Sequence, residues 1–319
     1  MTASTTRRTT AAKSRIAAVG AIAVAGALVL TACGDQTDKG SDSSEPKKDK
    51  PTATSAAPLF DKLPKKYQDA GVIKVGSDIA YAPMEFVDKD NKPAGVDIDI
   101  ANALGKVLGV EFKFTSGDFD QLILNLNTGR QDVAISSITD TKERQEGAGK
   151  DNKGGADFVN YFQAGSAILV QKGNPEGIKS LDDLCGLTVA AQRGTANETL
   201  VKDQQKKCGS EKLKDFISDK DTDSITQLQT KRADAVVTDY PVALYNELEA
   251  GGGKLFEVVG DQIEAAPYGI AVSKENPELR DALQAAVQAI IDDGSYAEVL
   301  KKWKAEAGAI KKATVNAGK

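Results

Sequence analysis

Histidine is absent from all 319 residues of the chain. That removes Ser-His-Asp and Cys-His nucleophile pairs, HExxH zinc sites and every imidazole acid–base step. Cysteine is nearly as scarce: with only three, a four-cysteine zinc site cannot be assembled. Neither a metal nor a cofactor is expected. The Gly-Lys pairs (Gly105-Lys106, Gly149-Lys150, Gly253-Lys254, Gly318-Lys319) all lack the following Ser or Thr of a phosphate-binding loop. Nucleotide-driven work would need another subunit. Excess positive charge is missing as well. The formal net charge is −5, and it becomes −9 if the first 32 residues, which hold Arg7, Arg8, Lys13, Arg15 and no acid, are removed. With no basic block beyond that leader, the chain is poorly equipped to grip nucleic acid.

What is present begins with an export pattern. A basic stretch (Arg7 to Arg15) precedes an uncharged apolar run of 15 residues, 16–30, and then Leu30-Thr31-Ala32-Cys33. A short apolar core behind a basic start is the signal-peptide pattern. Small residues before a cysteine resemble the bacterial lipoprotein processing box, which makes 1–32 a signal peptide and Cys33 the lipid-modified first residue. The competing reading is a signal anchor left in place. Either way the body is extracytoplasmic, and with Cys33 lipidated it is anchored to the outer face of the cell membrane. Residues 34–58 are chiefly Ser, Thr, Asp, Lys, Pro and Ala with nothing to build a core, so 33–58 reads as a lipidated cysteine and disordered tether. Outside the cytosol, the remaining Cys185 and Cys208 are expected to form a disulfide; two buried free thiols are the alternative.

From about residue 65 the pattern alternates strands and amphipathic helices. Residues 72–76 read as a strand ending at Ser77-Asp78. Asp97 reads as the N-cap of a helix with Ile98, Ala101, Leu104 and Leu108 on one face. Phe112 and Phe114 alternate along a strand, and Phe119, Leu122, Ile123 and Leu126 mark a helix before a strand at 132–136. Such alternation implies an α/β protein with doubly covered sheets. One piece recurs: Gly129-Arg130-Gln131-Asp132-Val133-Ala134-Ile135-Ser136 aligns with Lys231-Arg232-Ala233-Asp234-Ala235-Val236-Val237-Thr238. Two readings stand, coincidence between ordinary helix–turn–strand units or matching pieces of two lobes. In the second, both strands deliver polar groups at their carboxyl ends, where open α/β sheets bind ligands. The apolar runs 165–170 and 268–272 would be crossover strands, and helices near 277–291 and 295–304 would return to the first lobe.

Several motifs in order, Gly76-Ser77-Asp78-Ile79-Ala80-Tyr81-Ala82-Pro83, Gly95-Val96-Asp97-Ile98-Asp99, Asp118-Phe119-Asp120, Ser136 through Arg144, Gln192-Arg193-Gly194-Thr195, Arg232-Ala233-Asp234-Ala235 and Tyr268-Gly269-Ile270-Ala271, resemble the polar amino-acid-binding proteins of ABC importers, solute-binding family 3. The resemblance spans about residues 65–306. It implies a type II periplasmic-binding-protein-like fold with two hinge strands and a ligand cleft between lobes, lobe 1 at 65–165 plus 268–311 and lobe 2 at 166–267. A glycine–lysine loop at 147–155 is several residues longer than the family's usual connection.

The resemblance also implies a non-catalytic site for one small zwitterionic amino acid. Arg144 sits at the family's carboxylate-binding arginine, and only arginine offers carboxylate a planar fork of donors; a lone surface charge is its ordinary reading. Ser136, Ser137 and Thr139 would add hydroxyl and backbone contacts. Thr195 and Ala196, opening a helix, would close on the same carboxylate, a role compatible with Thr195 as N-cap. Asp239 resembles the ammonium-binding aspartate; otherwise it caps the helix that follows. Tyr81 and Phe119 would form apolar walls or else pack in the core, and Asp78 and Gln192 would point toward the ligand's side chain. The implied partners are an ABC permease with its ATPase, with the protein a monomer. Two other functions remain open. One is an enzyme on the same scaffold, cyclohexadienyl-dehydratase-like or lytic glycosidase-like, with Glu85, Asp78 or Asp239 as the acid; the other is a ligand-sensing lipoprotein. Amide, basic and acidic amino acids and compatible solutes such as ectoine all satisfy the implied clamp.

Overall fold

The structure is a computed structural model, and it describes residues 53–147 and 154–319. The signal peptide, Cys33 and nearly all of the tether lie outside the described residues, as do the central residues of the 147–155 loop. Along the chain come α1 (Lys65–Ala70), β1 (Val72–Ser77), β2 (Phe86–Val87), β3 (Pro93–Ala94), α2 (Val96–Leu108), β4 (Glu111–Ser116), α3 (Leu122–Asn127), β5 (Val133–Ala134), α4 (Lys142–Glu146) and β6 (Ala156–Gln171). Then follow β7 (Thr188–Gln192), α5 (Ala196–Lys207), β8 (Lys214–Ser218), α6 (Asp221–Gln229), β9 (Ala235–Asp239), α7 (Tyr240–Glu249), β10 (Phe256–Ser273), α8 (Pro277–Asp292), α9 (Ser295–Trp303) and β11 (Thr314–Val315).

One sheet runs through the molecule in the order β4-β1-β5-β10-β6-β9-β7-β8, with β11 added to β6. Strands β4, β1 and β5 are parallel in one half, and β8, β7 and β9 are parallel in the other. The long antiparallel pair β6 and β10 joins them. Both faces are covered, as continuous apolar strands require. In the second half successive residues split between two clusters: Ile168, Val170, Val189, Ala191, Ala235 and Val237 pack toward α5, while Ala167, Leu169, Ala190 and Val236 pack toward α6 and α7. That is the period-two alternation of a strand. In the first half the largest cluster brings Ile100, Leu104 and Leu108 of α2 against Leu279, Leu283, Val287 and Ile290 of α8 and Leu300 of α9. The opposite face packs Leu122 and Leu126 of α3 on Ala134, Phe158 and Ala271.

The repeated segment is real in three dimensions. Asp132 N donates to Lys74 O while its Oδ2 accepts from Lys74 N at 2.9 Å. Asp234 makes the same reciprocal pair with Thr188, at 2.8 Å. Ahead of each, Gly129 and Lys231 take positive φ, 71° and 60°, and Arg130 N and Arg232 N donate five residues back to Asn125 O and Gln227 O. Corresponding aspartates therefore tie each helix–turn–strand unit to the first strand of its own half, β1 or β7.

Several local expectations need correcting. Asp97 does not cap α2: Gly95 holds the N-cap position, and Asp97 lies in the first turn with its carboxylate turned inward. The segment from Phe119 opens as a 3₁₀ turn, Phe119–Gln121, before α3. Strand β5 has two residues instead of five, because the chain turns at Ser137 with φ 47°. The crossover strands are much longer than the apolar runs that announced them. Polar residues hid the first part of β6, yet they are satisfied there. Asp157 bonds Lys274, Arg280 and Asn316, and Asn160 bonds Asp140 and Thr314. Where β6 and β10 cross, their register breaks between Val259 and Ala266. Gly165 is required at that crossing, since a Cβ there would lie 2.2 Å from Ile263 O. The expected disulfide between Cys185 and Cys208 is present.

Candidate functional site

The carboxyl ends of the central strands from both halves meet at one nearly closed cavity with a free volume of about 10 Å3, room for little more than one water. From the first half, Asp78 follows β1, Tyr81 and Glu85 close the turn after it, Phe119 begins the 3₁₀ turn, Ser137 and Thr139 follow β5, and Arg144 projects from α4. From the second half, Gln192 ends β7, Thr195, Ala196 and Asn197 open α5, and Asp239 ends β9. Of the expected site residues only Ser136 stands outside the lining. It sits one layer behind, where its Oγ accepts from Asp78 N at 2.9 Å and donates to Glu85 Oε1 at 2.7 Å.

Arg144 is half-buried, and its guanidinium is fixed from both halves: Nη1 donates to Thr139 O at 2.7 Å and Nη2 to Gly194 O at 2.8 Å. The Phe119 ring lies beneath it at 5.4 Å from the centroid, a cation–π contact. Desolvation lowers the Arg144 pKa to about 10, which leaves it charged at neutral pH and keen for an anion. Thr195 is the N-cap of α5, its hydroxyl accepting from Glu198 N at 3.1 Å. Ala196 and Asn197 sit in the first turn of α5, where amide N–H groups lack an intrahelical partner.

Asp239 holds the N-cap position of α7 but makes no side-chain cap bond. Its oxygens instead accept from Asn197 Nδ2 at 2.8 Å and from Tyr268 OH at 2.6 Å. Burial raises its pKa, with these donors and Arg144 opposing, so a cation beside it would be welcome. Asn197 Oδ1 adds a buried acceptor with no partner among the described residues, and such an orphan is satisfied by a donor from outside the protein. Tyr81 spans the cleft: its OH lies 3.1 Å from Thr238 Oγ1 and accepts from Asp239 N at 3.1 Å. At the far end Gln192 Nε2 donates to Asp78 Oδ2 at 2.6 Å, again across the cleft.

Beneath the cavity lies a network that sequence reasoning missed. Asp97 accepts from Tyr161 OH and from Ser137 N, both at 2.7 Å, and stands beside Glu85. Burial raises both carboxyls, Asp97 to about 6 and Glu85 further because Asp97 adds its repulsion. Asn197 was also missed as a lining residue; its place two residues past the capping Thr195 was the available signal.

A two-lobed α/β fold joined by two long strands, with a cavity lined from both halves, is the type II periplasmic-binding-protein class, and among solved structures an ancestral arginine-binding protein bound to glutamine shares it: 39% identity, TM-score 0.66, covering 74% of this chain and 99% of that one. The chain belongs to the bacterial extracellular solute-binding proteins, family 3, whose signature matches residues 73–306. The arginine-binding protein ArgT of Corynebacterium glutamicum is 33% identical over 258 residues, 80% of this chain and 81% of that protein. The ABC transporter glutamine-binding protein GlnH of Bacillus subtilis is 29% identical over 294 residues, 91% and 97% respectively. A further solved structure, an ancestral amino-acid-binding protein called a precursor of cyclohexadienyl dehydratase, shares 34% identity at TM-score 0.65 over 75% of this chain and 97% of that one.

Proposed function

We propose that the chain captures one polar amino acid between a lobe of residues 65–165 plus 268–311 and a lobe of residues 166–267, and hands it to an ABC permease with its ATPase. The observation that carries this reading is that Arg144 and Asp239, from opposite halves, share one enclosed cavity. The ligand's carboxylate would take free donors of Arg144 with the N–H groups opening α5 and the Ser137 and Thr139 groups, and its ammonium would meet Asp239 and Asn197 Oδ1. Tyr81 and Phe119 wall the stem, Asp78 and Gln192 face the side chain, and Ser136 supports from behind. A ligand that touches both halves stabilises the closed form by its differential affinity for it. The names of the relatives support the amino acid as ligand and the transporter as partner.

Delivery takes place outside the cytoplasm, in line with the family's extracellular description, and no described helix is long and apolar enough to cross a membrane. Cys33, as a lipid anchor, would hold a monomer to the membrane through the tether. Isothermal titration against the twenty amino acids tests the capture reading. Arg144→Ala leaves a buried carboxylate unpaired, at a cost of about 2–5 kcal/mol, so affinity is expected to fall about thirtyfold or more. No binding by any amino acid, or full affinity in the variant, overturns it.

An enzyme on this scaffold is the second reading, favoured by one observation, a buried Glu85 carboxyl in the cavity wall whose pKa burial and Asp97 raise. Its oxygens are held by Ser136 and Ser137, and the zwitterion clamp is complete without it. We therefore infer binding without catalysis; turnover of a prephenate-like acid that is lost in Glu85→Gln reverses the choice.

A further inference from the structure

Lys220 belongs to the second half of the molecule, immediately before α6, but every partner of its ammonium there is on the first half. Nζ lies 2.8 Å from Asp78 Oδ1, 3.0 Å from Asp118 Oδ1 and 3.0 Å from Gly117 O. The other oxygen of Asp78 is taken by Gln192 Nε2 at 2.6 Å. The carboxylate at the side-chain end of the cavity is thus paired on each oxygen by one donor from across the cleft. The neighbouring basic side chain, Arg193, is paired outward with Asp219 at 3.0 Å, so Lys220 is the cation that governs this end among the described residues.

We infer that Lys220 sets the ligand class: by occupying Asp78, while its second partner Asp118 stands largely in solvent, it denies a cationic side chain its carboxylate and selects an amino acid with an uncharged amide side chain. The inference rests on the capture reading and refines it. A guanidinium or ammonium entering this end would have to displace Lys220 from Asp78 or stand beside it, and like charges in a partly desolvated site repel strongly. An acidic side chain would meet the Asp78 carboxylate at hydrogen-bond range with no free cation. An amide needs one acceptor and one donor. Asp78 supplies the first, and Gln192 or Lys220 the second, through small adjustments of bonds already present.

Titration of the whole protein with L-glutamine, L-arginine and L-glutamate decides the matter. The wild-type chain is expected to bind glutamine at least about tenfold more tightly than either competitor. Lys220→Met frees Asp78 and is expected to move the glutamine-to-arginine ratio about tenfold or more toward arginine. Lys220→Arg keeps a cation in place and is expected to preserve the ratio. Arginine or glutamate bound as tightly as glutamine by the wild type, or an unchanged ratio in a folded Lys220→Met, overturns the assignment while leaving amino-acid capture standing. Binding of none of the twenty amino acids overturns both.

Discussion

Asp221 is buried at the start of α6, with Thr238 as hydrogen-bond partner and Asp239 and Asp78 as nearby acids. Burial, reinforced by those two carboxylates, pushes its pKa up to about 7. In the folded state this group holds its proton far more tightly than in the unfolded chain, where aspartate titrates near about 4. Its contribution to stability is therefore full below about pH 4 and is lost as pH rises through about 7. Asp97 acts in the same direction with its loss centred near 6. Asp157 acts oppositely, because its hydrogen bonds to Asn316, Arg280 and Lys274 outweigh desolvation and lower its pKa; that contribution fades only in stronger acid. Thermal unfolding of the ligand-free protein is thus expected to occur at lower temperature at about pH 8 than at about pH 5. Asp221→Asn should raise the melting temperature at the higher pH and flatten the slope. A profile unchanged by this substitution would remove Asp221 from the account.

At the scale of elements, the C-terminal tail matters more than its length suggests. The family match ends at residue 306, but β11 pairs with β6 beyond it, at Thr314–Asn160 and Val315–Val159. Asn316 brackets Phe158 through two hydrogen bonds, and Gly318 N donates to the fully buried Asp140 at 2.9 Å. Asp140 also takes Gln145 of α4, and Lys142 N donates to Lys319 O. The tail thereby clamps the short helix that carries Arg144. Deleting residues 314–319 is expected to cost several kcal/mol of stability, at roughly 1 kcal/mol per lost hydrogen bond, and to weaken ligand binding as α4 loosens. Chemical denaturation and calorimetry on the truncated chain measure both; wild-type affinity with lowered stability would confine the tail to a structural role.

The disulfide works on a separate element pair, joining the approach to β7 with the end of α5 across a separation of 23 residues. A double substitution of Cys185 and Cys208 by Ser is expected to lower stability by about 3 kcal/mol in the chain-entropy model, read from denaturant midpoints. Element identities were largely legible: α2, α3, α8 and α9 announced themselves by apolar spacing, and the paired 129–136 and 231–238 segments carried matching aspartates. Lengths were less legible. Strands β6 and β10 contain Asp157, Asn160, Gln163, Asp261 and Glu264, and a polar residue in a strand is readable only when its partner is known. For Asp157 and Asn160 those partners include Lys274 and Thr314, 117 and 154 residues away.

For the molecule as a whole, closure is a set of bonds between the halves: Tyr81 to Thr238, Gln192 and Lys220 to Asp78, and Arg144 to Gly194. Ten of the eleven site positions named from the sequence line the same cavity, because the ordered motifs fall at the strand ends and helix starts that meet there. Composition and motif order alone were enough for the absence of histidine chemistry, the α/β class, the family and the naming of Arg144 and Asp239 as residues of one cavity, since these depend on residue type and near-neighbour spacing. Tertiary structure alone decided which carboxyls have their pKa raised by burial, that Lys220 reaches 142 residues back to Asp78, and that the tail braces α4. Each of those is a contact between residues remote in the chain, and the energy of a buried charge depends on what surrounds it in space.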